Sequence, residues 1–283
     1  MGEHTEIAWT DHSFNTHWGC QRISPACEHC YAQTFSRRIG GSPWGKGEHW
    51  GPGSLRTLAP DGAWQKLAHW NDKAAKDGVR RNVFVGSMMD VFEDRRDLDA
   101  PRERLFAAIE RFTALDFLLL TKRADKIVPL TPERWRDKWP RNAWAGTTVE
   151  DQRRADERIP HLLRCPAPVR FVSAEPLLEA VDLEAAFAVY DSNGEPSGPR
   201  CNPDGSLAIG WVIVGGESGP SARPFDIAWA RSLRDQCRKV KVPFFFKQGG
   251  SANACQHNAK GGCLDCIPAD LRVRELPEVR DED

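Results

Sequence analysis

Residues 211–218 read WVIVGGES. Four apolar residues, three of them β-branched, run into a glycine pair and then a carboxylate and a hydroxyl. A run this short, closed by a turn signal, suits a strand buried on both faces, with polar chemistry just past its C-terminal end. The same grammar recurs in both directions along the chain: NVFVGS at 82–87, DFLLLTK at 116–122, AWAGTT at 143–148, VRFVS at 169–173 and VPFFFK at 242–247. A further short strand is expected before Cys20. Helical periodicity fills the gaps. In 101–115, Leu105, Phe106, Ile109 and Phe112 share one face and Pro101 takes a first-turn position. Ile227, Ala230, Leu233 and Cys237 repeat that stripe, and residues 61–76 and 150–163 also read as helices. Strand starts lie roughly 25 to 40 residues apart, which leaves room for one right-handed helical crossover each.

The expected fold is therefore α/β: a partial or open TIM-type barrel of about six to seven parallel strands, with a doubly wound sheet as the alternative. Residues 1–250 are assigned to the barrel. Residues 182–210, rich in Gly, Pro, Asn and Ser, form a surface excursion from it. Residues 251–283 are read as a Cys-containing tail packed on the barrel.

Composition narrows the function. The 283 residues carry 39 Lys and Arg against 40 Asp and Glu, a net charge of −1. That balance excludes a protein that coats nucleic acid through bulk charge. With 40% apolar and 28% charged residues, a disordered chain is excluded too. No apolar run approaches the ~18 residues of a membrane span, and the start MGEHTEIAWTDHS is not a basic-then-apolar leader. The expected location is the cytoplasm. Eleven tryptophans against two tyrosines are read as packing. Nine cysteines, an odd number in a chain too long to need disulfide staples, point to reduced thiols or metal ligation.

In parallel α/β barrels the loops after the strands surround the active site. Here those loops carry Ser87 and Asp90, Thr121, Lys122 and Arg123, Thr148 and Glu150, Ser173 and Glu175, Gly215, Gly216, Glu217 and Ser218, and Lys247 and Gln248. A bowl with both charge signs suits a small charged ligand. For each single residue an ion pair that closes the barrel mouth is the competing reading.

The strongest chemical signal is Cys20, Cys27 and Cys30 in WGCQRISPACEHCYA, a C-x6-C-x2-C spacing after the first strand and before a helix near Tyr31. Three thiolates leave one position of a four-iron cluster open, whereas a structural zinc closes all four of its positions. On spacing alone an iron–sulfur cluster, a zinc completed by His4, His12, His17 or His29, and unliganded thiols all remain open. Cys255, Cys263 and Cys266 form a second group near the C-terminus. With Cys201 or His257 they would complete a zinc or auxiliary iron–sulfur site; ordinary thiols are the alternative. Cys165 and Cys237 read as small apolar packing residues.

A three-cysteine loop after the first strand of a parallel barrel resembles the radical S-adenosylmethionine (SAM) superfamily, although this chain has three more residues than the usual C-x3-C-x2-C between its first two cysteines. The aromatic Tyr31 after the last cysteine is distantly similar to the spore photoproduct lyase-like branch. Across nearly the whole chain, the blocks TEIAWTDHSFNTHWGC, CEHCYA, VFVGSMMDVFED, LLLTKR, WAGTTVE, VRFVSAEPLL, WVIVGGESGPSARPF and VPFFFKQGG, and the ending DLRVRELP, resemble a phage-associated, radical-SAM-like family of unknown function. That family occurs on bacteriophages and in bacterial genomes, and some members are paired with a three-Cys-motif partner protein.

The resemblance implies that Cys20, Cys27 and Cys30 hold a [4Fe–4S] cluster, with Ser87 and Asp90 near the SAM amino group. It implies SAM or substrate roles for Glu150, Glu175, Lys122, Arg123 and Lys247, and cofactor contacts at Gly215, Gly216 and Glu217. It also implies an electron donor and reductive cleavage of SAM to begin radical chemistry on an unidentified substrate, such as a nucleotide or nucleic acid. Two other classes stay open: a zinc-stabilised module that binds nucleic acid or protein, and an iron–sulfur protein that does not use SAM.

Overall fold

The computed structural model describes residues 5–190, 196–202 and 205–278. Seven of its strands form one sheet: β1 (His12–Phe14), β2 (Arg81–Val85), β3 (Leu115–Thr121), β4 (Ala143–Thr148), β5 (Arg170–Ala174), β6 (Trp211–Gly215) and β7 (Phe244–Gln248). They are parallel and lie in sequence order, β1-β2-β3-β4-β5-β6-β7. Sequential order is that of a partial TIM-type barrel; a doubly wound sheet would reverse direction partway along the chain. The expected strands are all present.

Two compact units divide the chain: residues 1–146 with 165–168, and residues 147–164 with 169–283. The first holds β1–β3 and the start of β4, with helices α1 (Tyr31–Arg38), α2 (Asp61–Asp77) and α3 (Asp99–Arg111). Phe14 lies opposite Val85, and Val83 opposite Phe117, so alternate residues of adjacent strands share a face. All four are fully buried. The helix α2 covers the strands with Trp64, Leu67, Trp70 and Ala74, spaced three or four apart, and stops where Gly78 turns left-handed. In α3, Leu105, Phe106 and Ile109 are buried as their periodicity predicts, and Phe106 packs on Trp135 with ring centroids 4.8 Å apart. Each such large apolar side chain contributes about 1.5–3 kcal/mol through burial.

The second unit holds the end of β4 and β5–β7, with α4 (Gln152–Leu163) and α5 (Ile227–Val240). Asp151 caps α4 by accepting from the Arg154 amide at 2.8 Å, and Asp226 caps α5 by accepting from the Ala228 amide at 2.8 Å. Trp211 lies opposite Phe171, and Val212 opposite Phe244. A register shift after Val214 sets Gly215 opposite Gln248. The excursion holds a one-turn helix, Glu184–Phe187, and an antiparallel pair, Ala188–Tyr190 with Pro196–Pro199. Its residues 191–195 and 203–204 lie outside the described residues.

Beyond β7 the chain turns through residues 249–271 and comes back along the other side of that strand. There the Phe246 amide donates to the Val273 carbonyl at 2.9 Å and the Glu275 amide to the Phe244 carbonyl at 3.1 Å. Phe245 and Arg274 form an antiparallel bridge. Trp9, Trp18, Trp50, Trp64, Trp70, Trp135, Trp144 and Trp211 are buried, which bears out the packing role expected for most tryptophans. Cys165 and Cys237 are fully buried, again as expected. No helix among the described residues is long and apolar enough to cross a membrane.

Candidate functional site

The first cysteine loop leaves the sheet through Gly19, whose φ of +112° suits only glycine. A Cβ there would lie 2.2 Å from the His49 carbonyl oxygen, so backbone approach as well as conformation fixes the residue. Cys20 follows and pairs in a bridge with Trp50. Cys27 ends a 3₁₀ turn, Pro25–Cys27, and its amide donates to the Ser24 carbonyl at 2.9 Å. Cys30 occupies the N-cap position of α1. The next residue, Tyr31, donates its hydroxyl to the Ser87 carbonyl at 2.6 Å and so ties the start of α1 to the loop after β2. All three cysteines are free and half-buried, and Cys20 and Cys30 pack against one cluster, Trp18, Ala32, Trp50 and Met88.

At the ends of β2 and β3 the candidate residues engage one another. The Asp90 carboxylate accepts from the Thr121 hydroxyl at 2.7 Å, the Phe92 amide at 3.0 Å, the Lys122 amide at 3.2 Å and Arg123 Nη1 at 2.8 Å. Burial would raise this carboxyl, but Arg123 and the other donors outweigh it and hold Asp90 below the usual carboxylate range. Arg123 also places Nη1 3.7 Å from Cys20 Sγ and donates Nη2 to the Gln21 carbonyl at 3.0 Å. Burial pushes the Cys20 thiol up to about 12, Asp90 adds to that, and Arg123 opposes it. Ser87 Oγ accepts from Asn15 Nδ2 at 2.9 Å, and Asn15 Oδ1 accepts from the Met88 amide at 2.8 Å. The half-buried Lys122 makes no ion pair among the described residues.

In the second unit the strand-end residues divide into two kinds. Glu150 is fully buried and paired with Arg158 at 2.7 Å, which fastens α4 to the end of β4. Glu217 is clamped by Arg223 through its amide at 2.9 Å, Nε at 3.0 Å and Nη2 at 2.6 Å. Glu175 and Lys247, by contrast, form a partly accessible pair at 2.5 Å, with side chains 15% and 20% exposed. Beside them Gln248 Nε2 donates to Ser218 Oγ at 2.6 Å. A Cβ on Gly215 would press on the Glu175 carboxyl carbon at 3.2 Å, and one on Gly216 would meet the Gly249 carbonyl oxygen at 2.4 Å. The two glycines therefore admit neighbouring chain.

The later cysteines do come together. The ligand atoms of Cys255, His257, Cys263 and Cys266 all lie within 4.8 Å of one another, and His257 Nδ1 is 3.3 Å from Cys266 Sγ. Crowded thiols lose a first proton easily and later ones with difficulty: a hydrogen bond from Cys266 lowers Cys255, while Cys266 is pushed up to about 12. This Cys₃His set can hold a metal. Cys201 is not in it; that residue is exposed and bridges to Leu207.

Cys20, Cys27 and Cys30 do not form a set of that tightness among the described residues. One ion would need its thiolates ~3.8 Å apart, at Zn–S bonds of ~2.3 Å. A cubane binds each cysteine through a different iron and so takes wider spacing than one ion does. Among the described residues, none of His12, His17 and His29 joins that loop in a metal-sized set: His12 stacks on Trp70 at 4.2 Å and His17 is buried against Thr16; His4 lies outside the described residues.

Sequence reasoning missed Arg158, Arg223 and the buried pair Arg56–Glu93, at 2.7 Å, because each partner is separated from its carboxylate by a fold-dependent distance. A cleft lined by Thr10, Asp11, His12, Trp70, Lys73 and Arg81 lies at the opposite, N-terminal ends of β1 and β2; of the candidate residues it holds His12. Among families, the model of one described as "Protein of unknown function (DUF5131)" matches residues 4–270. No curated protein and no solved structure matches the chain.

Proposed function

We propose that this chain, which belongs to the DUF5131 family, is a radical-SAM-like iron–sulfur enzyme with its cluster on Cys20, Cys27 and Cys30. One observation carries the reading. Three free, half-buried thiols share a loop leaving the first strand of a sequentially ordered parallel sheet, with Arg123 from the end of β3 standing 3.7 Å from the first sulfur.

Bound there, a [4Fe–4S] cluster supplies the electron that reductively cleaves SAM, drawn from a separate electron donor. The chain's own residues bind and orient. Arg123, fixed by Asp90, sets a cation beside the Cys20 thiolate that ligation requires and offsets its charge. Lys122 offers an ammonium without an internal carboxylate and suits the SAM carboxylate. Ser87 accepts from Asn15 and keeps its own hydroxyl proton to donate. With four donors on its oxygens, Asp90 positions Arg123 rather than meeting an amine directly. Glu150 and Glu217, held by Arg158 and Arg223, likewise position loops. Glu175, Lys247, Gln248 and Ser218 make an accessible polar set at the ends of β5–β7 that we assign to substrate.

The test is anaerobic reconstitution with iron and sulfide, followed by incubation with SAM and dithionite. About four irons per chain, lost in the triple Cys→Ser variant of the triad, and formation of 5′-deoxyadenosine are expected. An intact triad that takes up no iron would exclude the proposal. Iron uptake without SAM cleavage would leave an iron–sulfur protein of another kind.

A further inference from the structure

We infer that Cys255, His257, Cys263 and Cys266 form a closed structural zinc site that pins the loop after β7 against the turn after β6. The inference is independent of any cluster at Cys20, Cys27 and Cys30.

Spacing decides the number of metal atoms. Tetrahedral zinc with bonds of ~2.3 Å to sulfur and ~2.0–2.1 Å to nitrogen sets thiolates ~3.8 Å apart and a thiolate and an imidazole ~3.6 Å apart. The four ligand atoms lie within 4.8 Å of one another and His257 Nδ1 is 3.3 Å from Cys266 Sγ, so they already surround the volume of one ion. A cubane would need them spread across separate irons. Three thiols with one imidazole is also an ordinary zinc donor set, and four protein ligands leave no open position for catalysis. The expected role is architectural.

The loop needs such a centre. Between 254 and 266 the chain forms neither helix nor strand, and Gly261 is its one buried residue. Its internal bonds are single turns, such as Asn258 N to Cys255 O at 3.1 Å and Cys266 N to Cys263 O at 3.1 Å. Ordering such a segment costs conformational entropy that so little burial does not offset, whereas a metal bound only by the folded loop does. Gly261, with φ of +66°, bends the chain so that its carbonyl accepts from the Gly249 amide at 2.9 Å. The Ser251 amide donates to the Glu217 carbonyl at 2.7 Å, and Ser251 Oγ accepts from the Gly219 amide at 3.0 Å. Asn253 Nδ2 donates to the carbonyls of Gly249 and Phe225, at 3.0 and 2.9 Å. Through these bonds the site steadies the backbone that follows Lys247 and Gln248.

The experiment measures metal in the full chain purified from zinc-supplemented medium, by mass spectrometry of the elements and by Co(II) exchange. About one zinc per chain is expected, kept when Cys20, Cys27 and Cys30 are all replaced by Ser, and reduced at least fivefold by Cys263→Ser or Cys266→Ser. The exchanged protein should show the intense visible absorption of tetrahedral, thiolate-bound Co(II). His257→Cys, which keeps four ligands, should retain the zinc even if His257→Ala unfolds the loop. Hydrogen exchange at the Gly249, Ser251 and Gly261 amides should speed up at least tenfold on chelation. Absence of metal, iron in place of zinc, or zinc insensitive to the tail substitutions would overturn the site. Unchanged exchange after zinc removal would overturn its role as a clamp.

Discussion

The guanidinium of Arg123 stands 3.7 Å from the sulfur of Cys20, although 102 residues separate the two in the chain between them. The same Nη1 is bonded to Asp90 at 2.8 Å, so the fold itself holds the cation in place. A fixed positive charge favours the thiolate; burial and Asp90 disfavour it and outweigh it.

Replacing Arg123 by Ala removes the group that opposes burial, and the Cys20 thiol should become still less acidic. In metal-free protein, alkylation of Cys20 by iodoacetamide at pH 9 should slow about tenfold for each unit gained. Peptide mass spectrometry reads this residue by residue. Unchanged or faster Cys20 labelling in a folded Arg123→Ala protein would remove the electrostatic role of Arg123.

The pair Arg56–Glu93 is buried on both sides, with side chains 0% and 4% exposed. Arg56→Ala leaves the Glu93 carboxylate without its cation and should cost about 3–5 kcal/mol. Because the loss comes from an unpaired charge, Arg56→Met with Glu93→Leu should be much less destabilising than Arg56→Ala. Urea unfolding of the three proteins measures both, and equal losses would contradict the assignment.

His17 is buried, with Nδ1 2.9 Å from the Thr16 hydroxyl, and burial, aided by Arg56, lowers it from 6.5 to about 3. The unfolded chain takes up a proton below pH 6.5 and the folded chain does not until about 3. Stability is therefore full above that window and falls through it as pH drops, by about 1.4 kcal/mol per pH unit for one proton. Urea midpoints of the native protein and His17→Gln between pH 7 and 4 should converge as the pH falls. Parallel curves would show that His17 carries no such linkage.

Gly216→Ala would drive a Cβ to 2.4 Å from the Gly249 carbonyl oxygen, where both neighbours are backbone. A loss of about 1–3 kcal/mol is expected. Gly62→Ala supplies the contrast: it lies in α2 with open space around its Cβ, and should stabilise by about 0.5–1 kcal/mol. Thermal melts of both variants separate close approach from helix propensity.

How far the sequence could be read follows from the range of each interaction. Buried parallel strands advertise themselves locally, as in residues 211–215 and 82–85, and their spacing alone implied the crossover helices. The Cys255–Cys266 group was visible because its four ligands lie within twelve residues, although spacing could not choose His257 over Cys201. Carboxylates were found but their tasks were not. Glu150 and Glu175 look alike beyond their strands; one is fully buried against Arg158, eight residues on, and the other meets Lys247 at a partly open surface. Which cation each carboxylate meets depends on helix rotation and strand register, and neither is written in a local pattern.

A sheet whose strands run in sequence ends, on one side, in β7. Left bare, that strand would present a row of backbone donors and acceptors to which a strand of another molecule could add. The chain forecloses this with its own returning segment, whose Val273 and Glu275 take up the bonds of Phe246 and Phe244. The cap is short, runs antiparallel to its strand, carries Arg272, Arg274 and Glu275, and is followed by Pro277, features that resist further addition. The returning segment thus acts as a guard against edge-to-edge self-association, and a chain shortened before Val273 would keep its seven strands while becoming prone to aggregate through β7.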